Sequence, residues 1–113
     1  MSAQVRVLLE SILESTELIE RYVNGLAWDT FFTSQQTQDA VLRRIEIIGE
    51  AVKSLPQDWK DANPVAPWRE MARMRDIVIH RYFSVDLPLV WQTIQVDIPE
   101  LKRIVTELLK NLP

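Results

Sequence analysis

The chain of 113 residues contains no cysteine, one histidine and only two glycines. Without cysteine it forms no disulfide, carries no thiol nucleophile and offers no thiolate ligand to a metal. A single histidine also excludes a histidine-rich metal centre, and we expect neither a metal nor another cofactor. Two glycines are too few for an all-β fold, whose tight hairpin turns often need residues with positive φ.

Positive charge and long apolar runs are scarce as well. Thirteen basic residues stand against 16 acidic ones, for a formal net charge of -3. Bulk coating of a nucleic acid is therefore excluded, and any contact with a polyanion must be local. No apolar stretch approaches the roughly 20 residues that span a bilayer, and the first residues include acids where a signal peptide is uncharged. We expect a cytoplasmic protein without a membrane contact.

Hydrophobic periodicity predicts helices along most of the chain. Residues Val5 to Asn24 place their apolar side chains along one stripe, and Gly25 follows as a stop. A second helix is predicted from Asp39 to Leu55, where apolar residues recur at spacings of three and four. A third is predicted from Trp68 to Tyr82. We read 27–33 as a connector with a short turn of helix and 56–67, with its three prolines, as an ordered loop.

The last segment, from about Leu87 to Leu112, is either two helices or one helix kinked at Pro99. Ser84 or Asp86 is the candidate cap at its start, and Asp97 with Glu100 resembles a capping box. The chain length suits one domain, residues 1–113. The predicted fold is all-α, an antiparallel up-and-down bundle of four to five helices.

Residues 68–83 form a basic island in this acidic protein. They contain the only histidine and two acids, together with four of the nine arginines: Arg69, Arg73, Arg75 and Arg81. On a helical wheel Arg75 falls within the apolar stripe, whereas His80 falls on the opposite side. A guanidinium in a dry interface is costly unless it is paired, so Arg75 needs a carboxylate or a wet cleft. Glu46 and Glu50 on the second helix are the candidate partners.

Arg75, His80 and Tyr82 are spaced as Arg-x4-His-x-Tyr. This spacing resembles the R-x4-H-x-Y motif of the HEPN superfamily, in its HepT-like branch. Other stretches are also similar to that branch: 39–53 to its second helix, 67–71 to the start of its motif helix, and 85–91 and 97–101 to its C-terminal part. The sequence departs at Asp76, where the branch more often has Asn. We expect a carboxylate there either to favour the protonated form of His80 or to compete for Arg75.

The resemblance implies a metal-independent endoribonuclease toxin, the partner of a minimal nucleotidyltransferase antitoxin. Cleavage of RNA without a metal uses the 2′-hydroxyl as nucleophile, which calls for a proton-transfer group and a cation that holds the phosphate. His80 suits the first task and Arg75 the second. Arg73, Arg81 and Asp76 are the expected supporting residues. Tyr82 is implied as the residue that the antitoxin modifies with AMP.

On a straight helix Arg75 and His80 point about 140° apart. One protomer therefore cannot direct both at one phosphate unless the helix ends or unwinds near 81–83. A homodimer resolves this, because a two-fold axis brings Arg75 and His80 of both chains to one cleft. HepT-like proteins are similarly expected to be homodimers with the site at the interface, and binding of the antitoxin would add a larger hetero-oligomer.

A second hypothesis makes the same dimer a non-catalytic module that binds a nucleotidyltransferase or presents substrate to it. The acidic isoelectric point, near 5.1, favours this alternative, because in an acidic protein only the local basic island could attract RNA. The presence of Arg75, His80 and Tyr82 together favours the enzyme, because a scaffold has no need of all three.

Overall fold

The computed structural model describes residues 2–80 and 85–113, and it describes side chains for 3–76 and 85–113. Within these ranges the protein is helical without a strand, which confirms the predicted all-α class. The helices are α1 (Ser2–Val23), α2 (Trp28–Thr33), α3 (Gln35–Ser54), α4 (Gln57–Ala62), α5 (Trp68–His80), α6 (Leu87–Gln92) and α7 (Ile98–Lys110), with a π-helical turn (Thr93–Asp97) between the last two.

The long helix α3 organises the core. It packs extensively against both α1 and α5, and α1 packs in turn against α7. Most of the deeply buried side chains come from these helices, and Phe31 of α2 joins them: Val5, Leu9, Ile12 and Ile19 from α1, Val41, Ile45, Ile48 and Val52 from α3, Met71 from α5, and Ile98, Leu101 and Val105 from α7. The predicted apolar stripes of the first and second helices therefore face the core. No helix in the described ranges is long and apolar enough to cross a membrane.

Helix α3 begins at Gln35, four residues before the predicted start. Its first turn is polar, so hydrophobic periodicity did not reveal it. Ser34 caps this turn, because its hydroxyl oxygen accepts a hydrogen bond from the backbone N–H of Thr37 at 3.2 Å. The Gln38 side chain then donates to the carbonyls of Phe31 and Phe32, which joins α3 to the end of α2.

The segment predicted as a loop, 56–67, contains the short helix α4. Pro56 precedes the helix and needs no N–H there, which makes it compatible with a helix start. Two tryptophans stabilise this region: the rings of Trp59 and Trp68 lie 5.7 Å apart, and the Trp68 indole N–H donates to the carbonyl of Asn63 at 2.9 Å. The packing of the two rings fixes α4 against the start of α5.

The capping box predicted at Asp97 is wrong. Asp97 has helical backbone angles, φ -77° and ψ -38°, and its side chain makes no capping hydrogen bond. Instead, the chain passes from α6 through the π turn into α7 without leaving helical conformation, and the N–H of Ile98 bonds to the carbonyl of Thr93. Pro99 has no N–H to donate to the preceding turn, and a wider turn before it accommodates that loss. At the start of α6, Asp86 is the cap, because its Oδ1 accepts a hydrogen bond from the backbone N–H of Leu89 at 3.1 Å.

Candidate functional site

The candidate site lies where α3 and α5 cross, and Gly49 determines how closely they approach. A Cβ atom at position 49 would lie 2.0 Å from the Cβ of Arg75 and 2.6 Å from its Cγ. Non-bonded carbon atoms normally pack about 3.5 to 4.0 Å apart. Only glycine therefore fits at this crossing, and the base of the Arg75 side chain lies directly on the backbone of α3.

The guanidinium of Arg75 extends from this crossing to a pair of carboxylates. Its Nη2 donates to Oε1 of Glu50, and its Nη1 donates to Oδ1 of Asp76 at 3.2 Å. The Arg75 side chain is only 20% exposed, whereas that of Glu50 is 52% exposed. Glu50 was one of the two predicted partners and is confirmed; the other, Glu46, instead accepts from Arg43 at 2.5 Å.

These contacts favour the charged form of the arginine. The hydrogen bond to Glu50 raises the pKa of Arg75 above its ordinary value, and the bond to Asp76 raises it further. An arginine is a cation at any physiological pH, and these contacts hold the Arg75 guanidinium at the seam between the two helices. Its Nε is buried and has no hydrogen-bond partner among the described side chains.

Asp76 also contacts α3. The Nζ of Lys53 lies 2.5 Å from Oδ1 of Asp76, the same oxygen that accepts from Arg75. The hydrogen bond from Lys53 is the main reason why the pKa of Asp76 lies below its ordinary value, and the hydrogen bond from Arg75 lowers it further. Glu50, Arg75, Asp76 and Lys53 thus form one chain of alternating charges across the crossing. Its formal charges sum to zero.

The other predicted site residues are distributed as follows. Arg73 is exposed on α5, and so is Arg69 near its start. His80 is the last residue of α5, five positions after Arg75, so their Cα atoms lie about 140° apart around the helix. The side chain of His80 and the whole of Arg81 and Tyr82 lie outside the described residues. Of the predicted site residues, Arg75 and Asp76 are the two that contact each other in the part of the chain that the structure describes.

Sequence reasoning missed two participants, Gly49 and Lys53. An isolated glycine inside a helical pattern is a signal for close packing, and Gly49 could have been singled out on that ground. Lys53 carried no comparable signal. Its approach to Asp76 depends on where α3 crosses α5, and no local sequence pattern predicts that crossing point.

A separate groove of about 600 Å³ opens between α4 and the start of α5. Its lining includes both charge signs, Lys60 and Arg69 together with Asp61 and Glu70, and the ring of Trp68. Arg75 is not among its lining residues. Among the side chains of residues 3–76 and 85–113, no three acidic groups lie together so that they could hold a metal ion.

Comparison with known proteins adds to this geometry. The family model described as "Ribonuclease HepT-like" matches residues 12–108. Among curated proteins, the chain is 51% identical over 94 residues to "Probable ribonuclease HepT" of Thermococcus cleftensis, which covers 83% of this chain and 86% of that protein. It is 41% identical over 106 residues to a "Putative RNase" of Caldanaerobacter subterraneus, covering 94% of this chain and 95% of the relative.

A third relative is longer than this chain. The protein named "Gamma-glutamylcyclotransferase and putative RNase" of Methanocaldococcus jannaschii is 49% identical over 112 residues, 99% of this chain. The chain spans only 50% of that relative's length. No solved structure matches the chain.

Proposed function

The chain belongs to the HepT-like ribonuclease family, and we propose that it is a metal-independent endoribonuclease that acts as the toxin of a toxin–antitoxin pair. The observation that carries this proposal is the position of Arg75. A permanently charged guanidinium is held at the crossing of α3 and α5, on the same helix as the single histidine, in a chain whose family match covers residues 12–108. The cation and the proton-transfer group that RNA cleavage requires are therefore on one element.

In the proposed reaction the 2′-oxygen of the RNA attacks the adjacent phosphorus. The bond from phosphorus to the 5′-oxygen breaks, which leaves a 2′,3′-cyclic phosphate and a 5′-hydroxyl end. A neutral His80 accepts the proton of the 2′-hydroxyl, and a protonated imidazole returns one to the leaving oxygen. Arg75 stabilises the non-bridging oxygens as their charge builds, because a guanidinium donates charge-assisted hydrogen bonds to phosphate.

We further propose that the active unit is a homodimer with the site at its interface. The helix α5 runs through both Arg75 and His80, and the helical rotation of about 140° between them separates the two groups in one protomer. A two-fold axis beside α5 supplies a second histidine, so that one imidazole serves as base and the other as acid. Arg73 and Arg81 would add positive charge around the cleft, which an acidic protein needs to attract RNA locally.

The proposed partner is a minimal nucleotidyltransferase antitoxin that adds AMP to Tyr82. An adenylyl group on this tyrosine carries a phosphate, two residues from His80 in sequence. It would place negative charge and bulk where the RNA phosphate binds, and so block the site. The two chains and the antitoxin would form a larger hetero-oligomer in the cytoplasm, where the RNA is.

One observation favours the alternative, a non-catalytic dimeric module that binds or presents substrate to the nucleotidyltransferase. Both terminal nitrogens of Arg75 already bond to carboxylates of the same chain, Glu50 and Asp76. In the alternative, these contacts serve to tie α3 to α5. The enzyme and the module differ in whether Arg75 and His80 are needed for cleavage or only for folding.

The decisive experiment incubates the purified protein with single-stranded RNA in the presence of EDTA. We expect cleavage with cyclic phosphate ends, and loss of at least about a hundredfold in rate for His80→Ala, the usual range for a general acid–base group. Size-exclusion chromatography should show the same oligomer for wild type and variant. Cleavage that survives His80→Ala, or that requires a divalent metal, would contradict the mechanism.

The antitoxin is tested independently. Co-expression with a minimal nucleotidyltransferase encoded beside this gene should increase the mass of the protein by that of one adenylyl group, and Tyr82→Phe should abolish the increase. A neutralised toxin with an unmodified Tyr82 would show that the antitoxin inhibits by binding alone.

A further inference from the structure

Two cations from different helices converge on one oxygen atom at the crossing of α3 and α5. Oδ1 of Asp76 accepts from Nζ of Lys53 at 2.5 Å and from Nη1 of Arg75 at 3.2 Å. An oxygen held between an ammonium and a guanidinium has the environment of a bound phosphate oxygen, because both kinds of oxygen accept charge-assisted hydrogen bonds. The carboxylate of Asp76 therefore occupies a place that would suit an external anion.

We propose that Lys53 and Arg75 form a binding subsite for an RNA backbone phosphate, and that Asp76 occupies this subsite until the phosphate displaces it. The inference rests on the proposed function for the identity of the anion. It adds Lys53, which lies on α3 far from the motif in sequence, to the residues that contact substrate. It also gives Asp76 a role as an internal competitor.

The exposure of the three side chains makes this exchange feasible. Asp76 is 42% exposed and Lys53 is 40% exposed, so the carboxylate can rotate into water and the ammonium can meet a ligand. Ion pairs at such exposed positions are weak, since water solvates both partners. Arg75, at 20% exposure, is more firmly held, because Glu50 binds its other terminal nitrogen. Departure of Asp76 thus leaves the guanidinium in place.

The charges of the crossing favour an incoming anion only after this exchange. Lys53 and Arg75 are balanced by Asp76 and Glu50 while the carboxylate is in place. When Asp76 turns away, the two cations face one remaining acid at close range. A phosphate then restores the balance and accepts from both cations.

The chain offers a matched control pair. Lys102 donates to Oε1 of Glu20 at 2.8 Å, and the two side chains are 39% and 38% exposed, close to the values for Lys53 and Asp76. Among the described side chains, Glu20 accepts a hydrogen bond from this lysine alone. Substitutions in this pair change the net charge of the protein equally but leave the convergence of two cations intact.

The test measures binding of a short single-stranded RNA with 2′-O-methyl groups, which cannot be cleaved through the 2′-oxygen, at several salt concentrations. We expect Asp76→Asn to tighten binding about two- to fivefold and Lys53→Gln to weaken it by a similar factor, the range of one exposed ion pair. Lys53→Gln should also reduce the slope of log affinity against log salt by about 0.7, the loss of one phosphate contact on a single strand. Circular dichroism checks that each variant is folded.

The controls decide between a local subsite and a general effect of charge. Glu20→Gln and Lys102→Gln should leave both affinity and slope close to those of the wild type. If Asp76→Asn binds no more tightly than Glu20→Gln, then Asp76 is not a competitor. If Lys53→Gln binds as Lys102→Gln does, then Lys53 does not contact phosphate, and this result overturns the subsite even if the Asp76 variant misfolds.

The same data separate this inference from the proposed function. A protein that shows the expected binding differences but never cleaves unmodified RNA retains the subsite and loses the nuclease assignment. A protein that cleaves RNA while all four variants bind alike retains the assignment and loses the subsite.

Discussion

Replacing Gly49 with alanine tests the close approach of α3 and α5 directly. In an isolated helix this change should be favourable, because alanine stabilises a helix interior by about 1 kcal/mol relative to glycine. At this crossing, however, the new Cβ would lie 2.0 Å from the Cβ of Arg75. The clash involves an atom next to the backbone, so no rotation of the Arg75 side chain relieves it.

The size of the effect follows from the distance. Normal carbon packing needs about 3.5 Å, so the helices would have to separate by about 1.5 Å at the crossing. Overpacking of this kind typically costs about 1 to 3 kcal/mol, and the gain in helix propensity offsets about 1 kcal/mol of it. We expect a net loss of up to about 2 kcal/mol in the free energy of unfolding, and weaker contacts among Glu50, Arg75 and Asp76.

Urea unfolding followed by circular dichroism measures this loss, and a second background isolates its cause. Arg75→Gly removes the Cβ that collides, whereas Arg75→Ala keeps it. In the Arg75→Gly background the nearest remaining atom is the Cα of residue 75, 3.3 Å from the new Cβ, so Gly49→Ala should be close to neutral there. In the Arg75→Ala background it should be destabilising. A Gly49→Ala protein that is more stable than wild type would refute the reasoning, because helix propensity alone would then account for position 49.

Two further predictions concern stability. The hydroxyl of Ser15 is buried without a hydrogen-bond partner among the described side chains, so Ser15→Ala should raise the free energy of unfolding by about 1 kcal/mol, and a loss of stability in urea unfolding would reveal a partner. The bond from Lys53 lowers the pKa of Asp76, so the unfolded chain binds this proton more readily than the folded protein does. The resulting stabilisation is present above the ordinary carboxyl pKa of about 4 and is lost as pH falls through the lower folded-state value. Asp76→Asn should therefore lose less stability on acidification than wild type does. Urea unfolding above and below the carboxyl pKa measures this loss, and an equal loss in the two proteins would contradict the ion pair.

Secondary structure was predictable where one helix face carries the apolar residues. The stripe from Val5 to Ile19 is buried as expected, because a period of 3.6 residues places it on one side of α1. The prediction failed where local polarity hid a helix, as in the first turn of α3 and in α4. It also failed at Asp97, since an acid before a proline looks like a helix start whether or not the chain is already helical.

The candidate site was predictable to a similar extent. Arg75 was expected to need a carboxylate because a charged residue in an apolar stripe is costly, and Glu50 supplies one. The contact between Lys53 and Asp76 was not expected, nor was the close packing at Gly49. The side chain of His80 and the position of Tyr82 lie outside the described residues, and their roles remain predictions.

The amino-acid sequence alone determined that the chain is helical, that it lacks thiolate chemistry and that an arginine and the only histidine lie five residues apart on one helix. Each of these follows from residue type and from spacing within a single element. Only the tertiary structure decided which groups from α3 meet those of α5. A crossing point between two helices depends on how both pack against the rest of the core. A glycine on one helix can thereby let a lysine and an arginine from different helices reach the same carboxylate oxygen.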